Sequence, residues 1–190
     1  MESVGFKEWS VVCEALGRGQ QSVILRKGGI AEGRGGFSFR HREFFLFPTF
    51  FHEQVVKVRL NSANLSGAGD TIAIRWYVKV ERALRIGALR MAEALAPLHI
   101  LTSEVVQERF GYKDEGLNVA FVRVFGISPV WILQNEKRFA GCRSWVNLPN
   151  PPEMKHEPVI DDATHEKLRV RFDGITEGRP LCRQIGRAHV

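Results

Sequence analysis

Phe6, Trp9, Val12, Cys13 and Leu16 recur at helical spacing, with Gly17 and Gly19 behind them as a stop. That pattern predicts an amphipathic helix over 6–16. Ser22 to Arg26 reads as a short strand rich in β-branched residues, turned by Gly28-Gly29. A glycine-dense loop over 32–36 follows, and then Phe44-Phe45-Leu46-Phe47, a continuous apolar run stopped by Pro48. Such a run predicts a strand buried on both faces. Thr49 is placed to cap a helix over 50–58, with Phe51, Val55 and Val58 on one face. The small, polar stretch 61–69 is a loop. Beyond it Ile72, Ile74, Trp76, Val78 and Val80 alternate within a strand spanning 71–86 and are expected to share one face. Residues 88–96 predict a helix, and Thr102 or Ser103 caps another that runs to Phe110, with Glu104 in its first turn. Strands are expected at 117–125, at 130–133 as its partner, and at 145–148. Four prolines between Pro149 and Pro158 mark an extended connection, and a last helix is expected over 161–172. Helices and strands interleave without a βαβ cadence. The expected class is α+β, with a mostly antiparallel sheet or partly open β-barrel and flanking helices.

Length and charge narrow this picture. The 190 residues fit one core domain over 1–150, followed by the proline-rich connection and helix over 151–183. Residues 184–190 read QIGRAHV, and Ile185 to Val190 match the translation of a common sequencing adapter, so the native sequence is expected to be cut off near Arg183 with its true C-terminus unread. The formal charge of +6 becomes +5 without Arg187, still a basic balance that hints at an acidic partner. No apolar run reaches the roughly 18 residues of a membrane span, and the opening MESVGFKEWS lacks a secretory pattern. The three cysteines, Cys13, Cys142 and Cys182, are far apart and suit reduced thiols in a bacterial cytoplasm.

Five separated motifs, EALGRGQQSVILRKGGI (14–30), HREFFLFPTFFHEQ (41–54), LHILTSEVVQERF (98–110), FVRVFGI (121–127) and FAGCRSWVNL (139–148), resemble in this order the prokaryotic domain of unknown function 1802. The resemblance covers 7–150 and implies signature positions at Arg26 to Gly29, His41, Pro48-Thr49, His52 and Gly141-Cys142. It carries no activity with it. In this chain Glu53 stands between His52 and Gln54, where the family would have glutamine directly after the histidine. A second resemblance concerns the fold. GQQSVILR (19–26) and GAGDTIAIRWYVKV (67–80) resemble the opening and the Gly-Asp turn of ASCH domains in the PUA-like superfamily. Gln20-Gln21 stand where those domains carry lysine, and Ile24-Leu25 where an acid is usual. This resemblance implies a PUA-like barrel and, by fold analogy, RNA or modified bases as ligands.

Arg26 and Lys27, at a strand end before two glycines, suit a phosphate, and Arg40 and Arg42 would enlarge the cationic patch. Lys and Gly are equally the residues of a solvated turn. His41 and His52, with Glu53, are the candidate acid/base or metal-ligating groups. No spacing typical of a metal site supports ligation, so neither a metal nor a cofactor is expected. P-loop, dinucleotide, serine-hydrolase and restriction-nuclease patterns are all missing. Cys142 and the aromatic run have bland readings as buried hydrophobes. Three functional classes therefore stand: a small module recognising RNA, DNA or nucleotides; a phosphoester hydrolase using the histidine pair; and a protein-interaction module docking through Phe44 to Phe51. Oligomeric state is not legible.

Overall fold

The computed structural model describes residues 3–27, 37–50, 57–59 and 69–178. The first departure from the predicted pattern comes at once. Instead of one helix over 6–16, the chain makes strand β1 (Val4–Trp9) and then helix α1 (Ser10–Gly17). Phe6 and Trp9 fit helical spacing. β1, however, lies between β3 (Glu43–Thr49), which it pairs in parallel, and β6 (Trp145–Asn147), which it pairs antiparallel. Two ladders satisfy its backbone on both sides, and tertiary pairing overrides a local helical preference.

β2 (Val23–Arg26) pairs antiparallel with β5 (Leu117–Gln134), which in turn pairs with β4 (Thr71–Ile86). The order across the sheet is β2-β5-β4-β3-β1-β6, and β7 (Lys155–Pro158) extends β5 beyond β2. Every pairing is antiparallel except β1 with β3. The strand expected at 130–133 is not a separate partner of 117–125. Both belong to β5 and both pair with β4, because β4 is long enough to run beside each in turn. Register shifts at Ile74/Trp76 and Val80/Arg82 interrupt this long antiparallel pair, and bulges of this kind bend a strand. The expected single face is split, with Ile72 and Ile74 in one core and Trp76, Val78 and Val80 at another.

Bending serves two cores. Phe44 and Leu46 face a larger core with Phe6, Val78 and Phe121, while Phe45 and Phe47 face a second with Ile74, Tyr77 and Trp131. The apolar run is thus buried on both faces, as its composition predicts. Phe44, Phe45 and Phe47 are between 0 and 3% exposed, so a docking surface cannot be built from them.

Helices α2 (Leu89–Ala94) and α3 (Ser103–Gly111) cover the larger core. Thr102 caps α3 by accepting Val105 N–H, with Glu104 in the first turn. Pro97 lies inside a 3-10 turn (Ala96–Leu98) that separates them. Residues 51–56, most of the expected helix over 50–58, lie outside the described residues. At 57–59 the chain turns, with Val58 forming an antiparallel bridge to Leu101. The terminal helix α4 (Asp162–Thr176) begins at the Asp161 cap and runs beyond Phe172. Arg123 holds its first turn through Asp162 at 2.7 Å, and His165 bonds Glu81 at 2.9 Å.

Candidate functional site at the seam of the sheet

β2 and β6 are the two ends of a six-strand path. Laid flat, five spacings of about 4.8 Å would part them by roughly 24 Å. Arg26 on β2 nevertheless donates from Nε and Nη2 to Ser144 Oγ, at 3.1 and 2.9 Å, one residue before β6. The sheet therefore curls into a partly open barrel whose ends meet through side chains. Sequence-distant polar groups collect at that seam.

Glu8 is the centre of the group. In β1 its neighbours in the first core are Val4 and Phe6, and it is only 1% exposed. Its Oε1 accepts the Trp9 N–H at 2.9 Å, and Oε2 lies 3.9 Å from Arg26 Nη1. Arg109, from α3, donates Nη1–H to the Leu25 carbonyl at 2.7 Å and lays its guanidinium 4.4 Å from the Trp9 ring centroid. Burial pulls the Arg109 pKa below its usual value; Glu8 opposes that shift and Arg26 adds to it. One buried carboxylate thus faces two guanidinium groups, an arrangement that avoids an uncompensated buried charge. Beneath it, desolvation and then Glu8 hold the Cys13 thiol well above its ordinary pKa, and its Sγ donates to the Glu8 carbonyl.

An aromatic wall lines one side of the seam. Phe6 contacts Phe37, Phe39, Phe44 and Trp145, with centroids between 4.9 and 6.0 Å, and Arg26 lies 5.4 Å from its ring. Trp145 is half-buried, nearly parallel to Phe37 at 8°, and meets the His41 ring edge-on at 4.8 Å. Arg40 Nε donates to His41 Nε2 at 3.1 Å, which places the proton of a neutral His41 on Nδ1. Arg40 and Arg42 are exposed.

The structure thus brings Arg26, Arg40 and His41 to the edges of one aromatic cluster, with Arg42 next in the chain. Lys27 turns elsewhere. Its ammonium donates to the carbonyls of Phe110, Asp114 and Gly116 and pairs with the Asp114 carboxylate at 3.3 Å. Arg85 and Lys27 together hold the Asp114 carboxyl below the usual carboxylate range. His52 and Glu53 lie outside the described residues. Among the described residues no group of three His, Cys, Asp or Glu side chains could hold a metal ion.

Glu8, Arg109 and Ser144 were not singled out by sequence reasoning. The charged pair Lys7-Glu8 inside the segment preceding α1 was the one local signal, and a helical assignment of 6–16 hides it. Lys7, next to Glu8 but on the opposite sheet face, is 7% exposed and donates to the Phe139 carbonyl and, at 3.0 Å, to that of Gly141. Desolvation lowers its pKa, with nearby Cys142 opposing.

The model of the family described as "Domain of unknown function (DUF1802)" matches residues 5–171. No curated protein matches the chain. Among solved structures the chain is similar to crystal structures of ASCH from Zymomonas mobilis. One, of a mutant protein, shares 11% identity at a TM-score of 0.46, covering 88% of this chain and 94% of that one. Another, of ASCH itself, shares 11% identity at a TM-score of 0.44, covering 88% and 93%. No helix among the described residues is long and apolar enough to cross a membrane.

Proposed function

The chain belongs to the DUF1802 family, whose description carries no activity, and for it we propose a nucleic-acid-binding function centred on the seam. The observation that carries this reading is the half-buried Trp145, edged by His41, with Arg40 bonded to that histidine and Arg26 bonded to the preceding residue Ser144. A base needs an aromatic face, and its phosphates need cations beside that face. Arg40 and Arg42, both exposed, are the groups that meet phosphate. Arg26 and His41 orient the aromatic wall. Lys27 braces the chain just after β2 by binding carbonyls. The formal charge of +6 supports an anionic partner, and unpaired bases, which can splay onto an aromatic surface, favour a single strand.

The test is a titration of the full chain into labelled single- and double-stranded RNA and DNA at low and raised salt. Single-strand binding that weakens steeply with salt, and drops in the Arg40→Ala/Arg42→Ala double variant, is the expected result. Both substitutions are at exposed positions, so circular dichroism should be unchanged. Absence of binding at low salt overturns the reading.

A second reading, a phosphoester hydrolase at the same seam, is favoured by one observation: a carboxylate 1% exposed beside Arg26. Carboxylates in such surroundings serve as general bases. In this reading His41 joins His52 and Glu53 as the acid/base or ligating set. Turnover of a nitrophenyl phosphodiester, lost in Glu8→Gln and in His41→Ala, supports it. Absence of turnover with a range of divalent cations removes it.

A further inference from the structure

Two of the signature positions, Pro48-Thr49 and Gly141-Cys142, take no part in the seam. The structure brings them together at a separate cavity of about 210 Å³, where Pro48, Thr49 and Gly141 are lining residues. That volume lies below the roughly 300 Å³ at which pockets for drug-sized ligands begin, so it suits a smaller molecule. Phe47, Ile72 and Phe139, all buried, give it apolar walls. Lys7 is its one ionisable lining residue among the described residues.

The Lys7 ammonium is fixed at the cavity wall. It donates to the carbonyls of Phe139 and Gly141 and lies 6.0 Å from the centroid of the Phe47 ring, so three lining residues surround it. An ammonium has three N–H donors. Two are used here, and the third has no acceptor among the described residues. No carboxylate among the described residues pairs with Lys7 either, although it is only 7% exposed. Desolvation outweighs the opposing influence of Cys142 and keeps the Lys7 pKa below its ordinary value. A buried charge is ordinarily compensated by an opposite one, and here two carbonyl dipoles stand in that place. The bordering segment 135–143 adds exposed Lys137, Arg138 and Arg143. Its single carboxylate, Glu136, already accepts from Arg138 at 2.9 Å. A cation held at the wall of an apolar cavity, with further cations beside it, is complementary to an anion that carries an apolar body.

We infer that this cavity binds a small organic carboxylate, its oxygens on the Lys7 ammonium and its apolar body against Phe47, Ile72 and Phe139. A polynucleotide phosphate brings no apolar body to such walls, which favours the carboxylate. The site is separate from the seam and from nucleic-acid binding there, because Lys7 and Glu8 lie on opposite faces of β1.

The experiment is a titration of the full chain, ¹³C-labelled at its isoleucine methyl groups, with benzoate, benzamide and inorganic phosphate in turn. The expected result is a saturable displacement of the Ile72 methyl resonance by benzoate, with intermolecular contacts from the benzoate ring to that methyl. Benzamide keeps the ring and loses the charge, and should bind about tenfold or more weakly, as one charge-assisted hydrogen bond implies. Phosphate keeps the charge and loses the ring, and should also bind more weakly. Lys7→Met retains an apolar stem and should bind benzoate no better than benzamide. If that variant does not fold, the ratio of benzoate to benzamide affinity in the wild type decides alone. The Arg40→Ala/Arg42→Ala variant should bind benzoate as the wild type does, which separates this site from the seam. The inference is overturned if benzoate leaves Ile72 unmoved, if benzamide or phosphate binds as tightly, or if natively folded Lys7→Met keeps full affinity.

Discussion

Arg26 and Ser144 are joined by two hydrogen bonds converging on one oxygen across 118 positions of sequence. No backbone ladder joins β2 to β6, so this contact carries much of the seam. Ser144→Ala leaves two guanidinium N–H groups without their acceptor, and a loss of about 1–3 kcal/mol is expected. Urea unfolding of Arg26→Ala, Ser144→Ala and the double variant should give a coupling energy of roughly 0.5–3 kcal/mol. Strict additivity would mean that the seam is closed by other contacts.

Gly17 ends α1 against the indole of Trp76. A Cβ at that position would fall 2.0 Å from Trp76 Cε2, well inside van der Waals contact. Gly17→Ala therefore overpacks, with an expected cost of about 1–3 kcal/mol and a changed tryptophan fluorescence. A helix-favouring substitution that stabilised the chain would contradict this close approach.

His99 makes stability depend on acid. Its pKa is 6.5 when unfolded and about 4 when folded, so between those values the unfolded chain binds the extra proton. The stabilisation is complete above pH 6.5 and is lost as pH falls through about 4. A shift of this size corresponds to roughly 3 kcal/mol. Denaturation midpoints of the wild type and of His99→Gln, compared from pH 7 to 4, should converge toward the acid end.

Cys13 and Cys142 should differ sharply in reactivity. Cys13 is fully buried with its thiol pKa raised well above normal, while Cys142 is exposed. Under native conditions iodoacetamide is expected to alkylate the Cys142 peptide and spare that of Cys13, with mass spectrometry as the readout. Rapid native labelling of Cys13 would mean that α1 opens readily from β1.

The sequence by itself determined the elements whose signal is local. The Thr102 cap, the alternation of Ile72 and Ile74, and the two-sided burial of Phe44 to Phe47 were all legible. Each depends on neighbours within a turn or a strand. The same is true of the α+β class and the mainly antiparallel sheet, which follow from the order of such elements. Tertiary structure alone decided the rest. Phe6 to Trp9 carry apolar spacing compatible with a helix, and only the ladders to β3 and β6 make them a strand. Lys27 and Arg26 are adjacent and chemically alike, yet one is drawn to carbonyls at and beyond the end of α3 and the other to Ser144. Glu8, Arg109 and Ser144 come together because the sheet curls, and curvature belongs to no single segment. Side chains a hundred positions apart become neighbours only when the whole ladder has closed. Local pattern carries no trace of that distance.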